Sequence, residues 1–150
     1  MNVDDDKFAN ARNNAQSWYQ SIHDMIACLE TSDESSDQHE AIEQKIRESV
    51  LSVETRSDWQ TTHFVNERGA MFVPAEYRIL LTTGGPALRL IGELDQHGEP
   101  KTAVLQIQDW FLPWTDYRPL SSSQSGDDKP YVDGDCEDVL LTFARQFYFG

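Results

Sequence analysis

The first part of this chain carries apolar residues at alternating spacings of three and four, and its middle part alternates apolar with polar residues. The first pattern places one apolar face along a helix, and the second places one apolar face along a β-strand. Neither element can bury its apolar face alone, so the helices must pack against the sheet. The sequence therefore predicts an α+β fold with helices segregated around an antiparallel sheet.

The first helix is predicted from residue 8 to residue 31. Its apolar seam continues for about six turns, and Tyr19 and Ile26 widen it enough to face a globular core. The acidic residues Asp4–Asp6 lie at or before its first turn, where carboxylates interact favourably with the helix dipole. The seam consists of Phe8, Ala11, Ala15, Trp18, Ile22, Met25 and Leu29.

A second helix is predicted over residues 37–57, after a short polar loop. Its apolar positions are spaced by four, four and three residues, and Glu43 and Arg47 can pair on its exposed side. A short loop between two helices favours an antiparallel helical hairpin. The apolar positions are Ile42, Ile46, Val50 and Val53, and the candidate N-caps are Ser35, Ser36 and Asp37.

After Trp59 the apolar pattern changes to a period of two, which predicts three or four strands. A strand pair is predicted for TTHFVN and AMFV, around a turn at residues 66–69. Three further strands are predicted at residues 77–83, 87–94 and 101–110, joined by turn residues. Consecutive strands with short turns form an antiparallel β-meander.

The end of the chain predicts a polar loop over residues 120–134 and a C-terminal helix beginning near Asp135. We expect a single domain over residues 1–150. Its parts are an acidic helical hairpin (1–58), an antiparallel sheet (59–120), and an acidic loop with the C-terminal helix (121–150). The buried stripe of that helix is predicted to be Leu140, Phe143, Ala144 and Phe147.

The formal net charge is −14, and the acid is concentrated at the two ends of the chain. The net charge is −8 over residues 1–58, −2 over 59–120 and −4 over 121–150. Such a field repels nucleic acid and anionic lipid and attracts basic protein surfaces. The chain also lacks any run of 18 apolar residues. We therefore expect a basic protein as partner, with no direct binding to nucleic acid or membrane.

The N-terminus and the cysteines favour a cytoplasmic protein. The first residues, MNVDDDKFAN, are acidic and polar, whereas a secretory signal begins with basic residues and continues with an apolar stretch. Cys28 and Cys136 lie far apart on different predicted elements, and reduced thiols are usual in the cytosol.

Each pattern that could carry catalysis or bind a metal has a simpler structural explanation. The glycines of Thr82–Pro86 lie between two strands with no Lys after them, which favours a hairpin turn over a phosphate cradle. The acidic neighbours of Cys136 raise its thiol pKa, which disfavours a nucleophile. The acidic run at residues 127–138 lacks the ligand spacing of an EF-hand loop, which excludes an EF-hand site. Weak cation binding is the one alternative kept for this run. No HExxH-type spacing relates His23, His39, His63 and His97. We expect no enzyme, cofactor or resident metal.

The most unusual local segment is QDWFLPWTDY, residues 108–117. Four aromatic residues and Pro113 within this short stretch exceed what one strand face can bury, so Pro113 is predicted to end a strand or to form an edge bulge. Two interpretations stay open. The segment is either a lid over the sheet, packed on the C-terminal aromatics, or an interface anchor in which Trp114 and Tyr117 bind a partner.

The segments GGPALRLIGEL (84–94), QDWFLPWTDY (108–117) and FARQFYFG (143–150) resemble a family of small uncharacterised acidic proteins from bacterial phages and plasmids. The resemblance covers roughly residues 76–150 and carries no catalytic residues. It implies a mobile-element origin and a bacterial host. Such elements often encode small acidic inhibitors of host defence, of the anti-CRISPR and anti-restriction classes.

The charge and the resemblance together favour a non-enzymatic inhibitor. Its acidic surface would mimic DNA and occupy a basic, nucleic-acid-binding surface of a CRISPR effector or restriction subunit. The alternatives are an assembly protein that uses the aromatic segment, with charge serving solubility, and an enzyme or metal protein whose site the spacing does not reveal. A homodimer is compatible with each. The predicted partner-binding residues are Glu30, Asp33, Glu34, Asp37, Glu40, Glu43, Glu48, Asp127, Asp128, Asp133, Trp114 and Tyr117.

Overall fold

One helix of 29 residues, α1 (Val3–Thr31), carries the long apolar seam predicted from the sequence. Tyr19 and Ile22 are fully buried, and Leu29 is buried near its end, so the seam faces the core along most of the helix. The Thr31 hydroxyl donates to the carbonyl of Ala27 in the last turn. The computed structural model describes residues 3–69, 72–83, 86–109, 112–119 and 135–149.

The second helix is shorter than the sequence predicted. Helix α2 (Asp37–Glu48) begins after Ser36, whose side chain accepts a hydrogen bond from the His39 N–H. This is the N-cap geometry expected of a serine. Ile46 is fully buried. The prediction of a helix as far as residue 57 is wrong, so the helical hairpin has a short second arm.

Residues beyond α2 form an edge strand, β1 (Ser52–Ser57), instead of more helix. It pairs antiparallel with β2 (Pro74–Thr82). The Arg78 guanidinium donates to both oxygens of Glu54, at 3.0 Å each, across this pair. These pairings join residues from 17 positions apart (Ser57 and Pro74) to 28 positions apart (Ser52 and Leu80), so the local spacing of apolar residues could not reveal them.

The predicted strand pair at residues 61–73 is also wrong. Residues Thr62–Arg68 form a two-turn helix, α3, whose N-cap is Thr61: its Oγ1 accepts from the Phe64 N–H at 3.2 Å. Gly69 follows with φ of +77°, a conformation that glycine adopts without strain and that ends the helix.

The sheet is an antiparallel meander of five strands in the order β1-β2-β3-β4-β5, against three or four predicted. Strands β3 (Ala87–Glu93) and β4 (Val104–Asp109) confirm two of the predicted strands. The fifth strand, β5 (Leu112–Tyr117), comes from the aromatic segment. Its pairing with β4 shifts by one residue beside Pro113, which confirms the predicted edge bulge.

The core lies between one face of the sheet and the helices. The C-terminal helix α4 spans Asp135–Ala144, so Phe147, which was predicted to lie on its buried stripe, is beyond its end. Phe143 is fully buried, and Phe147, which follows the helix, packs edge-on against it with ring centroids 5.4 Å apart. The buried residues of the sheet alternate along the strands, as a half-buried sheet requires: Tyr77, Ile79, Leu81, Leu88, Leu90, Leu105 and Ile107.

The opposite face of the sheet, termed the open face, carries charged and aliphatic side chains. Arg78 and Glu54 are exposed there, whereas Arg89, Ile91 and Val104 are half-buried. The alternation of burial along β2, β3 and β4 assigns these residues to the side away from α1 and α4. The sheet is therefore solvated on one face, as antiparallel sheets commonly are.

Candidate functional site

The last residues of α1, the connection that follows it and the first turn of α2 together make up residues 30–40, which are termed the acidic turn. They contain five carboxylates and no Lys or Arg. All five carboxylate residues are exposed. The structure thus gathers five of the sequence-predicted residues on one surface segment: Glu30, Asp33, Glu34, Asp37 and Glu40.

Hydrogen bonds within the acidic turn hold its backbone in one arrangement. The Asp33 carboxylate accepts from the backbone N–H and from the hydroxyl of Ser35, at 3.1 and 3.0 Å. The Ser36 hydroxyl donates to the Asp33 carbonyl at 2.6 Å. The two bonds from Ser35 favour the charged form of the carboxylate and lower the pKa of Asp33. A preformed turn loses less conformational entropy when it binds a partner.

The other carboxylates of the acidic turn are not neutralised within the described part of the chain. Four of them, Glu30, Glu34, Asp37 and Glu40, make no ion pair with a Lys, Arg or His of residues 3–69 or of the other described ranges. Their charge is therefore available to an external cation.

Glu43 and Glu48 differ from the acidic turn in their contacts. Glu43 accepts from Arg47 at 3.0 Å, which confirms the predicted pair, and its other oxygen lies 2.9 Å from His39 Nε2. Glu48 accepts from Gln44 at 2.7 Å. Both residues are thus partly engaged on α2, and Glu43 in particular has internal partners for its charge.

Trp114 lies on β5 against an arginine, and Tyr117 lies on the other side of the same strand. The Arg89 guanidinium carbon is 4.1 Å from the centroid of the Trp114 ring, a cation–π distance. The Tyr117 hydroxyl donates to Gln16 Oε1 on α1 at 2.8 Å. Both contacts stabilise the fold, and a role of either residue as an interface anchor stays a prediction. The remaining predicted residues, Asp127, Asp128 and Asp133, lie outside the described residues.

An exposed aromatic surface lies where the sequence analysis did not place one. Trp59, just after β1, is 99% exposed, and Phe72 and Val73, just before β2, are 65% and 57% exposed. Trp59 and Phe72 line a groove of about 880 Å³ that Leu94 also borders. Phe72 falls in the predicted strand AMFV and Trp59 in no predicted element, so no pattern in the sequence identified this surface.

Metal-ligating side chains do not cluster within the described ranges. No group of three or more His, Cys, Asp and Glu there is arranged to hold a metal ion. Burial and the nearby Glu137 raise the pKa of the Cys136 thiol to about 11, which leaves little thiolate at neutral pH. Nor does any helix within these ranges combine the length and apolarity needed to span a bilayer.

Comparisons with protein-family models, with curated proteins and with solved structures found no match to this chain.

Proposed function

We propose that this chain is a non-enzymatic inhibitor that binds a basic, nucleic-acid-binding surface of another protein through its acidic turn. The observation that carries the proposal is the exposure of five carboxylates on one hydrogen-bonded turn. Four of them lack a cationic partner among the described residues. Lysines and arginines of a partner would supply the missing charges and would speed the encounter by electrostatic steering.

The exposed carboxylates at the start of α2 support mimicry of a nucleic-acid backbone. Asp37 and Glu40 lie three residues apart, which corresponds to about 4.5 Å of rise along a helix. The phosphates of one DNA strand recur about every 3.4 Å along the duplex axis. The two spacings are of the same order, so two basic side chains arranged for phosphates would be able to contact both carboxylates.

The class of partner comes to this proposal from the resemblance to mobile-element proteins. Inhibitors of that kind act in the cytoplasm of a bacterial host, on proteins that bind guide RNA or target DNA. A CRISPR effector or a restriction subunit has the basic surface that the acidic turn requires. Neither a cofactor nor a catalytic residue enters this mechanism, because occupying the site is sufficient to inhibit.

The proposal is tested by capture of basic proteins from a nuclease-treated bacterial lysate, at about 0.1 M and about 1 M salt. The Debye length falls from about 10 Å to about 3 Å over this range, which weakens contacts between exposed charges. We expect nucleic-acid-binding proteins to be retained at low salt and released at high salt. Retention that does not change with salt would contradict the proposal.

A matched pair of triple variants separates the acidic turn from general acidity. Glu34→Gln, Asp37→Asn and Glu40→Gln remove three charges from the acidic turn, whereas Glu67→Gln, Glu93→Gln and Glu99→Gln remove three elsewhere. Exposed ion pairs contribute about 0.2–1 kcal/mol each, so the first triple should weaken binding by about 3-fold to about 150-fold. The second triple should bind like the wild type. Equal losses in both variants would show that the position of the charge is immaterial.

A second candidate function is assembly through the aromatic surface, with the charge serving solubility. The exposure of Trp59, Phe72 and Val73 favours it, because aromatic residues exposed together are typical of interfaces. In that case Trp59→Ser would abolish partner binding, the acidic-turn triple would leave it unchanged, and salt would have little effect.

A further inference from the structure

No strand within the described ranges pairs with the outer edge of β1, whose backbone groups are therefore ready to pair with another strand. Leu94 N–H donates to the Ala75 carbonyl at 2.8 Å, so residues 75, 77 and 79 of β2 direct their hydrogen bonds to β3. Residues 76, 78 and 80 therefore bond to β1, where they pair with Arg56, Glu54 and Ser52. Since the direction alternates along a strand, the N–H and C=O groups of Val53 and Thr55 point away from the sheet.

The two edge strands of the sheet, β1 and β5, differ in the features that would block pairing with another strand. Strand β5 carries Pro113 and a bulge, which are devices that block pairing along an edge. Strand β1 contains no proline, and the irregularity in its pairing with β2 lies at its end, between Arg56 and Ser57. Apolar residues beside it are exposed: Leu51 by 59%, Val53 by 37% and Trp59 by 99%. The open edge is therefore bordered by apolar surface that folding of one chain leaves in water.

We propose that a second copy of this chain pairs with β1, antiparallel and about a two-fold axis through Thr55. The outward direction of Val53 and Thr55 allows four registers near the centre of the strand, with the two-fold axis through residue 53, 54, 55 or 56. With the axis through residue 54 or 56, Glu54 faces Glu54 or Arg56 faces Arg56, and directly opposed like charges destabilise a strand pair. With the axis through Val53, Glu54 faces Ser52, so no opposite charges meet. With the axis through Thr55, Thr55 faces Thr55, and Glu54 of each copy faces Arg56 of the other.

The register centred on Thr55 also extends the ion pairs already present inside each sheet. Glu54 contacts Arg78, and Arg56 contacts Glu76, on the open face of one copy. Joining two copies produces a row that reads Arg78, Glu54, then Arg56 and Glu76 of the second copy, with alternating sign across four strands. Residues 51–57 carry one Glu and one Arg, so the edge itself is neutral despite the net charge of −14.

Pairing in this register also covers apolar surface at the edge. Val53 is 37% exposed on β1, and the strand of the second copy would lie beside it. The pairing joins two five-stranded sheets into one of ten strands.

The oligomeric state of the full chain tests the proposal through analytical ultracentrifugation over a range of concentrations. The wild type should sediment as a dimer, at twice the chain mass of 17.2 kDa. Thr55→Pro removes the central outward N–H and no hydrogen bond to β2, so the fold should survive while the dimer weakens. The loss of both hydrogen bonds at the Thr55 pair corresponds to about a 30-fold rise in dissociation constant. Thr55→Ala keeps the N–H and should dimerise like the wild type.

A cross-linking measurement tests the register even if Thr55→Pro fails to fold. With Cys28 and Cys136 replaced by Ser, Thr55→Cys should form an intermolecular disulfide under oxidation, since facing residues of a hydrogen-bonded pair have Cα atoms about 5.5 Å apart. Glu54→Cys in the same background should not cross-link. A monomeric wild type, or cross-linking of the Glu54→Cys variant instead of the Thr55→Cys variant, would overturn the proposal. The acidic-turn triple should dimerise normally, so failure of dimerisation and failure of partner binding are distinguishable.

Discussion

Replacing Gly92 with Ala tests the packing of the sheet against the C-terminal residues. A Cβ atom at this position would lie 1.9 Å from the Thr102 carbonyl oxygen and 2.7 Å from the Tyr77 ring. Tyr77 cannot move freely, because it is 2% exposed, donates from its hydroxyl to Thr102 at 2.6 Å and stacks against Phe149 at 4.9 Å. Backbone and ring must therefore both shift to accept one methyl group.

The expected cost follows from the contacts that such a shift would disturb. Overpacking in a core costs about 1–3 kcal/mol, and weakening the hydrogen bond and the ring pair adds about 1 kcal/mol. We expect Gly92→Ala to lower the free energy of unfolding by about 2–4 kcal/mol, which is a large fraction of the usual 5–15 kcal/mol of a domain. The melting temperature should fall by roughly 4–16 °C.

Urea unfolding followed by tryptophan fluorescence and circular dichroism measures this loss. Gly98→Ala is the matched control. Gly98 has open space around it, so an alanine there would be strained only by the φ of +77°. That strain costs about 1–2 kcal/mol. A Gly92→Ala variant as stable as the wild type would refute the close approach of Tyr77 and Thr102 to Gly92.

Three smaller predictions concern single side chains. Tyr117→Phe removes the hydrogen bond to Gln16, so the free energy of unfolding should fall by about 0.5–1.5 kcal/mol in urea titrations. In titration with a thiol reagent near neutral pH, the exposed Cys28 should react quickly, and Cys136 slowly because its pKa is raised to about 11; Cys28→Ser should remove the fast phase. The pKa of Asp33 is lowered in the folded protein, so its carboxylate stabilises the fold above the ordinary pKa of 3.8. This contribution is lost as the pH falls toward the folded-state pKa. The free energy of unfolding of the Asp33→Asn variant should therefore decline less at acid pH than that of the wild type.

The elements predicted correctly are those with a strong local period. The seam of α1 repeats through the helix, and β3 and β4 alternate with few interruptions. The stripe of α4 that includes Leu140 and Phe143 is spaced for a helix and is buried as expected. In these segments the local pattern and the tertiary packing favour the same structure.

The segments predicted incorrectly are short and owe their structure to distant contacts. Val50 and Val53 continue the spacing of α2, yet Glu54 and Arg56 pair with β2 and turn residues 52–57 into a strand. The segment at Thr62 reads as a strand, but the Thr61 side chain caps a short helix there. Such runs are too short for periodicity to separate helix from strand.

The position of the acidic turn could be predicted from the sequence, whereas the ion pairs of the neighbouring carboxylates could be predicted only in part. A count of carboxylates locates the acidic turn, because polar loops between helices lie on the surface. Sequence spacing predicted that Glu43 would pair with Arg47, but it did not reveal the second contact with His39. The exposure of Trp59 was not predictable either, because an aromatic residue between two elements is buried or exposed according to the path of the whole chain.

The most direct test of the central claim is competition between this chain and nucleic acid for one captured partner. Fluorescence anisotropy of a labelled DNA or guide RNA bound to that partner would be followed while the unlabelled chain is added. We predict full displacement, with an apparent affinity that falls as nucleic acid is increased and with weaker displacement by the Glu34, Asp37 and Glu40 triple variant. A stable complex that holds the partner, the nucleic acid and this chain together would contradict mimicry by the acidic turn.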